Sequence, residues 1–408
     1  MNHRLLPLFI GLLACHGPSQ IIVPTPSALS PQIEGDVEPT ASPKATSPIS
    51  CEAAVQQVLT HHPALTAARA GQRVEWAEGE AVPRAGTFEV RVRDEMEAPG
   101  ENVRAGIRWR LPVPGRESAR VAAANERVQM SVAEIKGLET ALAQDIRMAH
   151  LAVRRARTDM AFSSREATLM VADAQWRQTR VKAGMETEIS AHTAMLKARE
   201  ARQAEATAKR TLFTVETAFA EQTGRTADDA RCGAPPEKMP IATHPTVSAA
   251  LSRARAIGEE VRAERADGVF WPRFLEITWD RESGEADRTF LEIGIPISFT
   301  GPALRAREAA SVVQAKAQLQ AVVNATHREI TLAEADLAAR IAERDAIPEG
   351  ETVSSAQAVA ARADDFGGDP RQRSALRRAL LREEIRRHRL ILAVETAEIR
   401  LRAARGHP

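Results

Sequence analysis

The chain has 408 residues, with Lys+Arg 55 against Asp+Glu 54 and a net charge of +1, so no bulk attraction to nucleic acid is expected. Only 4% of the residues are aromatic and Tyr is absent, whereas Ala and Arg are abundant. That composition argues against a globule built on large side chains and for long helices packed side by side, with interleaved charges on their solvated faces.

Residues 1–15 read as an export signal: Arg4 precedes an apolar run, Leu5 to Ala14, too short to span a bilayer. The run ends in Leu12-Leu13-Ala14-Cys15, which resembles a bacterial lipobox, whose cysteine becomes a lipidated N-terminus. An ordinary signal peptide with a chance cysteine is the alternative. His16 stands where an inner-membrane retention signal usually places Asp, so the resemblance implies lipidation at Cys15 and the outer membrane. One lipid anchor attaches only modestly, which calls for a second membrane contact. Residues 16–50 are rich in Pro, Ser and Thr, lack periodicity and read as a tether.

Residues 51–234 and 235–408 then follow one plan twice. His62-Pro63-Ala64-Leu65 is answered by His244-Pro245-Thr246-Val247, Pro83-Arg84 by Pro272-Arg273, Pro112 and Gly115 by Pro296 and Gly301, and Gly184 by Gly367-Gly368, at offsets of 182 to 189 residues. Self-similarity of this kind sets an architecture. Each copy reads as a short helix, a β-hairpin and a long helical hairpin, which makes the fold class mainly α with a small β part.

In the first copy, strands are predicted at about 87–96 and 103–112 from period-two alternation. Phe88, Val90 and Val92, with Val103, Ala105, Ile107, Trp109 and Leu111, share one face; Glu89, Arg91, Arg93, Arg104, Arg108 and Arg110 take the other. Long helices are predicted at about 117–181 and 187–222, with Gly184 at the bend. Val121, Val128, Ile135, Leu142 and Ala149 recur every seven residues, with Val132, Ile146 and Val153 as companions, a coiled-coil type of seam. The first of these helices would be on the order of 95 Å long and is too charged for lipid, so it must project into water. The second copy predicts strands at about 273–281 and 288–299, with Leu275, Ile277, Trp279, Leu291, Ile293, Ile295, Ile297 and Phe299 against Glu276, Asp280 and Glu292. Helices are predicted at about 303–364 and 371–404, on Leu319, Val323, Ile330, Leu337 and Ile341, then Leu376, Leu380, Ile385, Leu390 and Val394. Pro348 must kink or interrupt the first of them.

Charges on one strand face and apolar residues on the other suit a barrel with lipid outside and water inside. Lumen charges would be Arg91, Arg93, Arg108 and Arg110 from the first hairpin and Glu276 and Glu292 from the second, which allows pairing between hairpins. Four strands cannot close a membrane barrel, since the smallest have about eight, so several chains must share one.

Cys51 opens the first copy and Cys232 closes it. An oxidising periplasm permits them to pair; two independent buried thiols are the alternative. No enzyme, cofactor or metal centre is expected. His61-His62 and His192 lack partners at ligand spacing, and His62 before a proline suits a helix cap. Ser163-Ser164 lacks a nucleophile-elbow context, and phosphate-binding glycine loops are missing.

From Cys51 to Gly406 the order of motifs resembles the TolC-like outer-membrane efflux protein family. His62-Pro63-Ala64-Leu65 is similar to its Asn/His-Pro-x-Leu segment, Leu111-Pro112-Val113-Pro114-Gly115-Arg116 to its turn from strand to long helix, and Arg180-Val181-Lys182-Ala183-Gly184-Met185 to its bend. The resemblance implies a homotrimer whose three chains bring about twelve strands to one barrel. It also implies a helical tube across the periplasm, a periplasmic adaptor (membrane fusion protein) at its tip and an inner-membrane pump loading it. The protein would be the lipid-anchored exit duct of a tripartite efflux or type I secretion system in a Gram-negative bacterium. It would conduct small molecules or metal ions passively, in contact with outer-membrane lipids. Gly184, Met185, Gly367 and Gly368 would be the adaptor-facing tips. The chain departs from the family where Val181 and Phe366 replace the bend tyrosine. It also departs where family members often place Asp lining the closed tip: Ser190 and Thr193 stand there in the first copy, and about Ser374 and Arg377 in the second. Arg377, with Arg371, Arg373 and Arg378 nearby, either belongs to a solvated helix face or makes a basic constriction that favours anions. The alternative to a duct is a periplasmic coiled-coil tethering lipoprotein without a pore.

Overall fold

The structure, a computed structural model, describes residues 47–82, 86–97, 100–233, 239–267, 270–282, 288–295, 302–347 and 370–408. The lipobox cysteine Cys15, the tether as far as residue 46, and Pro348, Gly367 and Gly368 lie outside the described residues.

Proline placement punctuates the start of each copy. Helix α1 (Cys51–His61) stops and α2 (Pro63–Glu80) begins at His62, which is extended because it precedes a proline. The Ala64 N–H donates to His62 Nδ1 at 3.2 Å, so the imidazole caps α2. Two helices therefore stand where the sequence suggested one. After strands β1 (Thr87–Glu97) and β2 (Gly100–Arg110) comes α3 (Arg116–Lys182), whose 67 residues span about 100 Å. Helix α4 (Glu188–Thr223) returns along it. The second copy has a short 3-10 turn (Ile241–Thr243), α5 (Pro245–Asp267), β3 (Phe274–Glu282), β4 (Arg288–Gly294), α6 (Pro302–Asp345) and α7 (Pro370–Ala404).

Helix α6 ends at Asp345, with Ala346 and Ile347 in a turn just before Pro348, where an interruption was expected; the expected continuation over 348–364 lies outside the described residues. Pro348 drives the residue before it out of helical backbone. The second strand starts at Gly100 rather than 103 and stops at Arg110, before Leu111 and Pro112. The fourth ends at Gly294; the expected extension over 296–299 lies outside the described residues.

Helix α3 is the spine. It packs against α1, α2, α4, α5 and α7. Its buried positions are mostly small: Ala119, Ala123, Ala133, Ala143, Ala156, Ala167 and Ala174 lie among Ile135, Ile146, Leu151 and Val153. The heptad seam is thus only partly the contact line, because Val121, Val128, Val132, Leu142 and Ala149 are half-buried. A helix that meets five neighbours cannot bury one stripe, and alanines let those neighbours approach closely. Along α6 the expected seam, Leu319, Val323, Ile330, Leu337 and Ile341, is half-buried throughout, and Val313 and Leu332 are exposed.

The largest apolar cluster lies at the middle of α3: Val55 and Val58 of α1, Ala143, Ile146 and Val153 of α3, Phe219 of α4, and Ile49 and Ala227, which form a parallel bridge. We call this region the waist. A second cluster, Met170 and Ala174 against Ala194 and Ala198, joins α3 to α4 near the bend.

Candidate channel wall, waist and helical tip

The four strands form one antiparallel sheet in the order β1-β2-β3-β4. The register aligns three apolar rungs on one face: Phe88–Trp109–Leu275–Ile293, Val90–Ile107–Ile277–Leu291, and Val92–Ala105–Trp279–Thr289. The period of two that sorts side chains within a strand thereby sorts them across the whole sheet. Among the described residues nothing covers these side chains: Phe88, Val90, Val92, Ile107, Ile277, Leu291 and Ile293 are all exposed, Val92 by 70%. A contiguous exposed apolar face of this kind needs a membrane or a partner. Phe88 and Trp109 stack at 5.5 Å between ring centroids. Among the described residues the outer edges of β1 and β4 have no strand partner, and each leaves a row of ladder groups open.

The opposite face is ionic. Arg108 pairs with Glu276 across the β2–β3 junction, and its guanidinium lies 4.2 Å from the centroid of the Phe274 ring. Arg104 pairs with Asp280 at 2.8 Å. Both join the two hairpins. The other expected lumen arginines turn elsewhere: Arg91 reaches Glu89 at 3.2 Å and Arg110 reaches the same carboxylate at 2.5 Å, within the first hairpin. Glu89, already assigned to this face, is therefore the acid that makes the first hairpin less basic than expected. Glu292 faces Glu276 in register and is exposed, whereas Glu276 is buried. The Arg93 side chain lies outside the described residues. No helix among the described residues is long and apolar enough to cross a membrane.

At the waist, Cys51 and Cys232 are joined by a disulfide, with Cα atoms 5.2 Å apart. Next to it, Glu52 gathers three parts of the chain. It accepts from Arg147 of α3 at 2.8 Å, from Arg402 of α7 at 2.7 Å and from the Gly233 N–H at 3.2 Å. Burial works against the charged carboxylate, but the two guanidiniums outweigh it and bring its pKa down to about 2. Arg147 also donates to the Pro408 carbonyl at 3.1 Å, and Thr140 to the Gly406 carbonyl at 3.2 Å. His244, of the second His-Pro pair, is buried with Nε2 3.1 Å from the Ala404 carbonyl. The last turns of α7 are thus clasped on both sides. Nothing in local spacing announces Glu52, Arg147 or Arg402, because their partners are far away in sequence.

At the first bend, Gly184 has φ 70°. The Met185 N–H donates to the Arg180 carbonyl at 2.8 Å and the Gly184 N–H to the Val181 carbonyl at 2.9 Å, the 6→1 and 5→2 bonds of a Schellman cap. Thr187 then caps α4. The turn leaves Met185 and Ile189 exposed by 64% and 80%. Beneath them Glu186, whose side chain is 1% exposed, binds Arg177 at 3.1 Å, and Ser190 bridges the two, 2.6 Å from each. Ser190 is thus part of an ionic lock that the sequence had hidden. Thr193 is exposed and back-bonds to the Ile189 carbonyl. In α7, the Ser374 carbonyl accepts from Arg378, and Arg377 is exposed.

No family model matches the sequence, and no curated protein matches it. Solved structures do. VceC, an outer membrane protein of Vibrio cholerae, superposes with TM-score 0.67 at 16% identity over 88% of this chain and 96% of that one. The open state of the Neisseria gonorrhoeae MtrE outer membrane channel gives TM-score 0.67 at 17% identity, covering 88% and 89%. The Campylobacter jejuni CmeC outer membrane channel gives 0.65 at 12%, covering 90% of each chain. The TolC-like fold implied by the sequence resemblance is the fold of this chain.

Proposed function

We propose that this protein is an outer-membrane efflux duct. Three copies join edge to edge, β4 of one to β1 of the next, and close a barrel of about twelve strands with the apolar rungs toward lipid and the ionic face toward water. The helices of three chains complete a tube through the periplasm. Its tips, at Gly184-Met185 and Gly367-Gly368, receive a periplasmic adaptor, which couples the tube to an inner-membrane pump. Lipidation at Cys15 supplies the second membrane attachment. Small molecules or metal ions pass without any bond being made or broken. At the tip, Ser190, Thr193, Ser374 and Arg377 take the places where related tips carry acids and make the constriction favour anions.

One observation carries this proposal: a sheet with an exposed apolar face, an ionic back and two open edges. Such a sheet is costly in water as a monomer and is satisfied on all three counts by closure in lipid. The half-buried seam of α6 is a further surface that sister chains would cover. In detergent the purified protein is expected to be a trimer and to form pores in planar bilayers. A stable monomer without conductance would favour the pore-free tether. Within that experiment, anion preference that falls in Arg377→Ala supports the basic constriction, and cation preference unchanged by Arg377→Ala rejects it.

A further inference from the structure

The waist holds three metal-ligating groups in one place. Cys51 Sγ, Cys232 Sγ and a ring nitrogen of His150 lie within 4.8 Å of one another. The His150 side chain is 0% exposed, in the buried middle of α3, with Phe219 edge-on at 5.7 Å between ring centroids. Its Nε2 lies 3.1 Å from Asp228 Oδ1, and its Nδ1 is buried with no hydrogen-bond partner among the described residues. A carboxylate accepts but does not donate, so Nε2 carries the proton and Nδ1 keeps its lone pair. Burial, with the Arg154 and Arg157 charges, lowers the imidazole pKa against the opposing pull of Asp228. A carboxylate holding one nitrogen of an imidazole that lies beside two sulfurs is the arrangement that orients metal-bound histidines. A disulfide alone has no use for it.

We propose that the waist is a redox-exchangeable metal site: a Cys51–Cys232 disulfide in the oxidised chain, and a two-cysteine, one-histidine site for a zinc-like divalent ion in the reduced chain. The reductant is a dithiol. One of its thiolates attacks Cys232 Sγ, the more open of the pair, since Cys51 is 1% exposed and Cys232 partly exposed. The S–S bond breaks and its electron pair leaves on Cys51 Sγ, in the first turn of α1, where free backbone N–H groups favour a thiolate. The second thiol of the dithiol then displaces Cys232 and departs as an intramolecular disulfide, so two electrons pass to the cysteines. The ion binds both sulfurs and His150 Nδ1, any remaining thiol protons pass to water, and water takes the fourth position. Zn–S bonds of about 2.3 Å in a tetrahedron put the sulfurs about 3.8 Å apart, a separation reached by side-chain rotation once the S–S bond opens. The ion then ties the same two ends of the first copy that the disulfide tied.

The test uses the full chain in detergent, reduced with a phosphine under exclusion of air and titrated first with cobalt(II), then with zinc(II). The oxidised chain is expected to give no thiolate-to-cobalt charge-transfer bands. The reduced chain is expected to bind one cobalt with those bands and tetrahedral ligand-field bands, which zinc abolishes. His150→Gln, which retains an amide for Asp228, should weaken binding about tenfold or more and change the ligand-field bands. The paired Cys51→Ser and Cys232→Ser variant should abolish them. A reduced chain with native circular dichroism and no charge-transfer bands overturns the proposal, as does unchanged cobalt affinity in His150→Gln. If reduction itself lowers the helical signal, recovery on adding zinc supports the site and failure to recover rejects it.

Discussion

Glu52 shows how one side chain is made to matter by what surrounds it. The Arg147 and Arg402 guanidiniums bring its carboxyl from the ordinary 4.5 to about 2. A carboxyl depressed on folding stabilises the fold above its unfolded pKa, and that stabilisation fades as pH falls from about 4.5 towards about 2. Glu52→Gln is therefore expected to flatten the acid limb of stability in that window, measured as melting temperature against pH; an unchanged limb would remove Glu52 from the account. Two glycines give a second contrast. Gly184 has φ 70° and, among the described residues, open space where a Cβ would lie, whereas Gly406 has φ 76° and a Cβ there would sit 2.6 Å from Pro245 Cδ. Gly184→Ala should cost only the backbone term, about 1–2 kcal/mol. Gly406→Ala should cost more, because it also pushes against the Pro245 and His244 rings that hold α7. Chemical denaturation of both variants under one condition ranks them.

At the scale of the element, the sheet separates an ion pair that matters from one that does not. The Arg108 and Glu276 side chains are 20% and 10% exposed, while Arg104, paired with Asp280, is 59% exposed. Arg108→Ala leaves a buried carboxylate without its partner and should cost about 3 kcal/mol or more, whereas Arg104→Ala should cost under about 1 kcal/mol. Urea unfolding followed by tryptophan fluorescence would show the difference, and equal costs would contradict the burial argument. The apolar rungs on the sheet were legible in the sequence because a period of two fixes the face of every residue. The Schellman bend was legible because only Gly tolerates its backbone. The partners of Arg91 and Arg110 were not, since alternation says which face a charge takes and nothing about which acid on that face it meets. The α3 contacts were misjudged for a related reason: a heptad search weights Val and Leu, whereas a helix with five neighbours is buried through its alanines. The Glu52 cluster and His150 were invisible because their neighbours come from segments far apart in the chain.

For the whole molecule, the two faces of the sheet make opposite predictions for a charge placed on either side. Val90 lies in the middle apolar rung, exposed by 62%, with Ile107, Ile277 and Leu291 beside it. If that face meets lipid, Val90→Arg puts a guanidinium into hydrocarbon and should cost about 2–4 kcal/mol of folding into vesicles, with loss of pore insertion. A sheet that merely covered soluble helices would take the same change at far smaller cost, because the site is already open to water. Arg110 is the counterpart on the ionic face, 60% exposed and paired with Glu89. If that face lines a pore, Arg110→Ala should leave insertion unaffected and, by removing one positive charge per chain from the lumen, move conductance toward cations. Neither variant alone separates a pore from a misfolded barrel, but the pair does. Loss of insertion confined to Val90→Arg, with altered selectivity confined to Arg110→Ala, requires lipid on one side of the strands and water on the other.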